Sequence, residues 1–280
     1  MPSANLNDID LSYSLTGSGV PLVWVHEYGG DQRSWEPQVR HFAQRFLVLT
    51  YNQRGFAPSS VPQDARRYSQ ELLVSDLEQL LTHLNLGPVH LAGCSIGANV
   101  ARDFAIARPG LTRSLILVGA GAGSDNRAEF LKSQAEIAEG LEAGGIGFLT
   151  GTFAAVSTRA SFRRKNPPAF AEFLRYAGEH DAQACAHLVR EVVMKRKTIH
   201  ELHSALETLL VPTLIVVGDH DVPCLSPSLT LHEWMPHAGL AVLPDCGHTP
   251  NLEEPELFNI LVSMFLASVE RGQWAGWTIV

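Results

Sequence analysis

Six short, almost entirely apolar runs constrain what this chain can fold into. A strand with one exposed face alternates apolar and polar residues, whereas continuous apolar runs are typical of parallel strands buried on both faces. The runs are separated by helical patterns and occupy residues 22–25, 46–50, 89–92, 115–118, 213–217 and 240–243. With an amino-terminal hairpin over residues 4–15, the pattern predicts an α/β fold: a mostly parallel, twisted sheet of about eight strands with helices on both faces.

The spacing of the runs predicts one large insertion. Most neighbouring runs are one crossover helix apart, but the runs that start at residues 115 and 213 are much too far apart for a single helix. Amphipathic patterns and glycine breaks fill this gap. We therefore predict a core domain of residues 1–120 and 209–280, and a mobile helical lid of residues 121–208 that sets substrate specificity.

The pentapeptide GCSIG, residues 93–97, lies between the run 89–92 and a predicted helix over residues 96–107. A G-x-S-x-G motif at a strand-to-helix turn is typical of a nucleophile elbow, which exposes a serine hydroxyl above the end of a sheet. The glycines at both ends let the strand and the helix pass closely, because they carry no Cβ atom. The motif therefore predicts that Ser95 is a nucleophile.

Two further groups with catalytic potential follow predicted strands later in the chain. Asp219 and Asp221 come directly after the run 213–217, and His248 follows the run 240–243. A histidine can accept the proton of a serine during attack, and an acid can orient that histidine and stabilise its charged form. His248 is the predicted base, and the two aspartates are the candidates for the acid.

Together with three more segments, these residues resemble the α/β-hydrolase fold family, nearly from end to end. Residues 26–30, HEYGG, followed by Trp35, are similar to the family's H-G-x-G-G…W segment. Residues 52–59, NQRGFAPS, are similar to D-x-R-G-x-G-x-S, and residues 247–255 look like the histidine loop that leads into the last helix. The chain departs from the family pattern at Glu27, Asn52, Ala57 and Ala98.

The resemblance implies a serine hydrolase with a triad of Ser95, His248 and Asp221, since the G-x-x-D spacing from Gly218 favours Asp221 over Asp219. No metal and no organic cofactor is expected, because acyl transfer to water needs only the triad and an oxyanion site.

The oxyanion needs two prepositioned N–H donors. The backbone N–H of Ile96 suits this role at the start of a helix, and the family segment assigns the second donor to Glu27 or Tyr28, with Tyr28 preferred. The Glu27 side chain is either a solvated charge or a group that tunes polarity at the mouth of the pocket. His26 is expected to hold the loop by hydrogen bonds.

Composition limits the classes of partner that this protein is expected to bind. A formal charge of −8 gives no basic surface for nucleic acid or an anionic membrane. The amino terminus shows no signal peptide and no apolar run is long enough to span a membrane, so we expect a cytoplasmic protein with reduced thiols at Cys94, Cys185, Cys224 and Cys246. The apolar residues 274–280 are expected to pack on their own domain or against a second copy of the chain.

Three functions fit these observations. The first is hydrolysis of an ester, thioester or lactone of a small molecule through an acyl-enzyme. The second keeps the triad but cleaves a carbon–carbon bond of a ring-fission product, and the third is a non-catalytic receptor for a small ligand on the same fold. The substrate class and the bond that is cleaved distinguish the three.

Overall fold

The computed structural model describes residues 2–274 and contains one eight-stranded sheet among them. The strands lie in the order β1-β2-β4-β3-β5-β6-β7-β8. They span Ser3–Leu6 (β1), Ile9–Gly17 (β2), Val20–Val25 (β3), Phe46–Tyr51 (β4), Val89–Cys94 (β5), Thr112–Val118 (β6), Thr213–Gly218 (β7) and Ala238–Leu243 (β8). Each of the six apolar runs forms one of the strands β3 to β8.

The sheet is parallel from β4 to β8 and antiparallel only at its amino-terminal edge. β1 and β2 form the predicted hairpin, and Asn7 and Asp8 take positive φ angles of 50° and 59° at its turn. β2 pairs antiparallel with β4, and the remaining neighbours pair in parallel. The predicted fold class is therefore confirmed.

Alternate residues of the central strands belong to separate hydrophobic cores on the two faces of the sheet. Along β3, Val23 and Val25 pack into one core, and Leu22 and Trp24 pack into the other. Burial on both faces explains why the sequence of this strand has no polar alternation.

The helices span Glu36–Phe42 (α1), Gln70–His83 (α2), Ile96–Ala107 (α3), Arg127–Gly144 (α4), Ile146–Ala155 (α5), Ala160–Lys165 (α6), Pro167–Ala177 (α7), Ala182–His187 (α8), His203–Glu207 (α9), Val222–Trp234 (α10), Pro250–Glu253 (α11) and Pro255–Glu270 (α12). The bounds of α3 are those predicted from the sequence. The Ser69 hydroxyl caps α2 by accepting a hydrogen bond from the Leu72 N–H, and Pro255 begins α12.

A group of helices, α4 to α9, connects β6 to β7 within residues 121–208, which we call the inserted segment. A π-helix over Leu188–Val193 and short 3-10 turns over Ser157–Arg159 and His200–Leu202 complete it. Other 3-10 turns cover Gln32–Trp35, Ala65–Arg67 and Pro109–Leu111.

Between residues 2 and 274, none of the helices combines the length and the apolar character needed to cross a membrane. At the carboxyl end, Trp274 packs edge-on against Phe265 and donates a hydrogen bond of 2.9 Å to the His237 carbonyl. The rest of the apolar terminus, residues 275–280, lies outside the described residues.

Candidate active site

Ser95 stands at the sharp turn between β5 and α3 in a strained conformation. Its φ of 55° and ψ of −113° lie in a region that residues with a side chain rarely adopt. A Cβ atom on Gly93 would lie 2.2 Å from the Gly97 carbonyl oxygen, and one on Gly97 would lie 2.2 Å from the Val25 carbonyl oxygen. The two glycines therefore have the steric role predicted for them.

His248 and Asp221 meet above the carboxyl ends of β8 and β7. The His248 Nδ1 lies 2.7 Å from the Asp221 Oδ2, and Asp221 is only 1% exposed. Asp219 instead accepts a hydrogen bond of 3.1 Å from the Cys246 N–H. A Cβ atom on Gly119, at φ 55°, would lie 3.2 Å from both His248 and Asp221, so the strand end beside them is kept free of side chains.

Ser95, Asp221 and His248 line one cavity of about 520 Å³. Among the described residues no hydrogen bond joins the Ser95 hydroxyl to His248, an arrangement in which the contact has to tighten when substrate binds. The core contributes Tyr28, Ile96, Pro223 and Cys224 to the walls. The inserted segment contributes apolar and polar side chains in equal number, which include Phe130, Ile137, Phe148, Glu136 and Arg196. The cavity is of a size that suits a compact substrate.

The two predicted oxyanion donors border the same cavity. Ile96 is the first residue of α3, so its N–H has no acceptor within the helix. Tyr28 lies in a turn that is closed by a hydrogen bond from the Gly30 N–H to the Glu27 carbonyl, with Gly29 at φ 78°. A Cβ atom on Gly29 would lie 2.5 Å from the Phe153 ring, so α5 packs directly on this turn.

The Glu27 side chain is fully buried, which contradicts the first of the two predicted alternatives, a solvated charge. Its Oε1 accepts a hydrogen bond of 2.9 Å from the Ser34 hydroxyl, while its Oε2 has no hydrogen-bond partner among the described residues. Burial raises the pKa of the Glu27 carboxyl above its ordinary value, and the Arg159 guanidinium partly opposes that shift. A Cβ atom on Gly30 would lie 2.3 Å from the Glu27 carboxyl, so the absence of a side chain at Gly30 leaves space for this carboxyl.

His26 holds the same loop, as predicted. Its Nδ1 lies 2.8 Å from the Glu27 carbonyl oxygen, and its Nε2 lies 3.0 Å from the Gln53 backbone nitrogen. A ring that donates through Nδ1 and accepts at Nε2 is neutral, and burial lowers the pKa of His26 to about 4. The residue therefore ties the end of β3 to the end of β4.

The loop that carries His248 is bound to the inserted segment, a connection that the sequence did not reveal. The His248 N–H donates a hydrogen bond of 2.9 Å to the Thr158 carbonyl. The buried Glu253 accepts hydrogen bonds of 2.7 Å from the Ser161 hydroxyl and from the Gly247 N–H, and longer ones from the Thr249 N–H and hydroxyl. No local pattern could predict the contacts with Thr158 and Ser161, because these partners lie far from His248 and Glu253 in the chain.

Asp221, Cys224 and His248 form a group whose ligand atoms lie within 4.8 Å of one another. The geometry alone could hold a metal ion, but the Asp221 carboxylate and the His248 Nδ1 are already hydrogen-bonded to each other. Burial raises the pKa of the Cys224 thiol well above its ordinary value, and a protonated thiol is a poor metal ligand. The chemistry of these donors therefore fits an acid–base pair better than a metal site.

Comparison with known proteins identifies the class. The family model of the alpha/beta hydrolase fold matches residues 20–255. The chain belongs to this family of hydrolase enzymes, as the sequence motifs indicated.

Individual relatives cover almost the whole chain. A protein of Azorhizobium caulinodans with the provisional name carbamate hydrolase RutD is 27% identical and covers 97% of this chain and 100% of its own length. Among solved structures, a thermophilic esterase from Thermogutta terrifontis is 25% identical, covers 96% of this chain and 98% of its own, and superposes with a TM-score of 0.85. The enol-lactonase of Burkholderia xenovorans LB400, at 22% identity, covers 95% of this chain and 100% of its own and shares the fold with a TM-score of 0.85.

Proposed function

We propose that this protein is a serine hydrolase that cleaves an ester, thioester or lactone of a small molecule through an acyl-enzyme. The observation that carries the proposal is the buried Asp221–His248 hydrogen bond on the wall of the cavity that also holds Ser95 at its strained turn. The relatives named as a carbamate hydrolase, an esterase and an enol-lactonase support an acyl-transfer reaction.

The proposed reaction begins with attack of the Ser95 hydroxyl on the substrate carbonyl. His248 takes the hydroxyl proton at Nε2, because its Nδ1–H is donated to Asp221. The Tyr28 and Ile96 N–H groups stabilise the oxyanion. His248 then returns the proton to the leaving group, and water hydrolyses the acyl-enzyme by the same steps. The inserted segment acts as a lid that shapes the cavity and excludes water.

Labelling with a fluorophosphonate probe tests the nucleophile. The wild-type protein should be labelled and Ser95→Ala should not, and hydrolysis of a short-chain aryl ester should fall by roughly four to six orders of magnitude. Ser133→Ala removes another serine hydroxyl of the cavity wall and is the matched control, since it should keep the label. Equal labelling of wild type and Ser95→Ala would refute the proposal.

Two further measurements separate this function from the alternatives. Chelating agents should leave the rate unchanged, whereas a metal bound at Asp221, Cys224 and His248 would make the activity sensitive to them. Turnover of a ring-fission diketone, with esters as poor substrates, would indicate carbon–carbon bond cleavage. Tight binding of a small ligand without turnover of any substrate would indicate a receptor.

A further inference from the structure

Arg196 is a buried cation on the wall of the catalytic cavity. It lies just after the π-helix Leu188–Val193 and lines the same cavity as Ser95 and His248. Its residue surface is only 9% exposed. Burying a guanidinium costs several kcal/mol unless an anion or a full set of acceptors compensates for the lost water. The anions and hydrogen-bond acceptors that the described residues place around Arg196 therefore show how much of this cost the protein itself offsets.

The contacts of this guanidinium are few. One of its terminal nitrogens donates a hydrogen bond of 3.1 Å to the Ala122 carbonyl, and its carbon lies 5.5 Å from the centre of the Phe130 ring. Within residues 2–274 no carboxylate forms an ion pair with Arg196. One carbonyl and one ring leave most of its five N–H donors for a ligand.

The neighbouring charges add to this excess of positive charge. Burial lowers the pKa of Arg196 most strongly, and the charges of Arg102 and Arg127 lower it further, to about 10. The side chain therefore stays charged at neutral pH. Asp103, the acid whose charge opposes this shift, is already engaged, because it accepts hydrogen bonds of 2.8 Å from Arg102 and of 2.7 Å from Gln70. Glu136 lines the same cavity, but among the described residues it forms no ion pair with Arg196. The described protein groups therefore do not neutralise Arg196.

The backbone holds Arg196 in place. Its N–H donates a hydrogen bond of 2.8 Å to the Val192 carbonyl, and its own carbonyl accepts one of 3.1 Å from Arg127. These bonds fix the backbone from which the side chain extends, and the hydrogen bond to the Ala122 carbonyl orients the guanidinium before a ligand arrives, which lowers the entropy cost of binding.

We infer that Arg196 binds a free carboxylate of the substrate, so that the substrate is the ester, thioester or lactone of an acid that carries a second, ionised carboxyl group. The inference rests on the proposed function. A planar guanidinium matches a carboxylate in a bidentate geometry. One unpaired positive charge balances a monoanion, whereas a phosphate dianion would need a second cation on the cavity wall.

Other cations of the inserted segment do not offer this site. Arg164 and Lys165, two adjacent cations of α6, form ion pairs with Asp245 and Glu254. Neither of them lines the cavity.

A pair of matched substrates tests the inference: the p-nitrophenyl monoester of glutaric acid, and the same compound with its free carboxyl group methylated. Wild-type protein should prefer the charged ester. Arg196→Gln should lower kcat/KM for the charged ester by about 10- to 100-fold and change the neutral ester little. Lys132→Gln removes an equal charge from an exposed position of α4 and should leave the ratio of the two rates unchanged.

The outcomes separate the inference from the proposed function. If Arg196→Gln slows both esters equally, or neither, while the fluorophosphonate still labels Ser95, the carboxylate site is refuted and the serine hydrolase stands. If the wild-type protein is neither labelled nor active, the proposed function fails first. Should Arg196→Gln not fold, inhibition of the wild-type protein decides: glutarate should compete with the charged ester, and the uncharged pentane-1,5-diol, which has no acyl bond to hydrolyse, should not. Equal inhibition by both compounds would overturn the inference.

Discussion

Two parts of the inserted segment differ in how they meet the core. The anchored part, residues 157–165, contacts the loop 245–254 through the hydrogen bond from His248 to Thr158, through the Ser161–Glu253 hydrogen bond, and through ion pairs of its basic residues. The outer part, residues 127–155, packs mainly on other helices of the insertion. It supplies most of the side chains that the insertion gives to the cavity wall.

The difference suggests that the two parts have different roles. The anchored part fixes the backbone of the proposed base, so a change there should alter the chemical step. The outer part forms a wall with few polar ties to the core, so a change there should alter which substrates fit. The predicted single mobile lid over residues 121–208 would then be mobile chiefly in its outer part.

The largest effect is expected for Glu253→Ala. It would leave the Gly247 and Thr249 N–H groups and the Ser161 hydroxyl without their buried acceptor. The free energy of unfolding should fall by about 3 kcal/mol or more, and kcat/KM by about 100-fold as His248 moves. Urea unfolding and steady-state kinetics measure both quantities.

Arg164→Ala is the control for this prediction. Its ion pair with Asp245 links the same two segments at the surface, where both side chains are about half exposed. An exposed pair contributes about 1 kcal/mol or less, so stability and activity should barely change. If Arg164→Ala proved as damaging as Glu253→Ala, the buried carboxylate would not be what anchors the insertion.

A smaller and more selective effect is expected in the outer part. Ile137 lines the cavity from α4, and Ile137→Ala enlarges the space that faces Ser95. The ratio of kcat/KM for a hexanoate ester to that for an acetate ester should rise about 10-fold. Leu174→Ala, in α7, removes a similar volume away from the cavity and should leave the ratio unchanged. Equal losses for both esters with Ile137→Ala would instead place the outer part within the catalytic core.

The sequence predicted the core of this protein far better than the contacts of its insertion. The strands and α3 follow from local patterns, namely apolar runs and the glycine spacing around Ser95, and the structure reproduces them. The predicted acid, Asp221, pairs with His248 because both follow the carboxyl ends of neighbouring parallel strands.

Two features of the site had no such local signal. Arg196 belongs to no motif, and the role proposed for it depends on folding, which buries it without a carboxylate partner among the described residues. For Glu27 the sequence left two alternatives open, a solvated charge and a group at the mouth of the pocket, and folding turns its side chain inward against Ser34. Both depend on contacts between distant segments, which residue spacing along the chain does not encode.

The smallest expected effect concerns Glu27, a core residue whose pKa is influenced by the charge of Arg159 in the anchored part. Burial raises the pKa of this carboxyl in the folded protein, so the folded state binds its proton more tightly than the unfolded state does. The stabilisation from that bound proton is present at low pH and is lost as the pH rises above the ordinary value of 4.5 and through the raised pKa. The slope from this one group is at most about 1.4 kcal/mol per pH unit.

Glu27→Gln isolates this contribution, because glutamine retains an acceptor for Ser34 but does not titrate. The free energy of unfolding of wild type minus that of Glu27→Gln should therefore decrease between pH 5 and pH 8 in urea titrations, a range set by the direction of the shift. Glu71→Gln, at an exposed position of α2, should show no such trend. Arg159, in the anchored part, opposes the shift, so Arg159→Met should steepen the decrease. A difference that stayed constant over this range would mean that Arg159 and the other contacts of the carboxyl fully compensate the burial of the Glu27 charge, and the anchored part would then stabilise the oxyanion loop as well as the histidine loop.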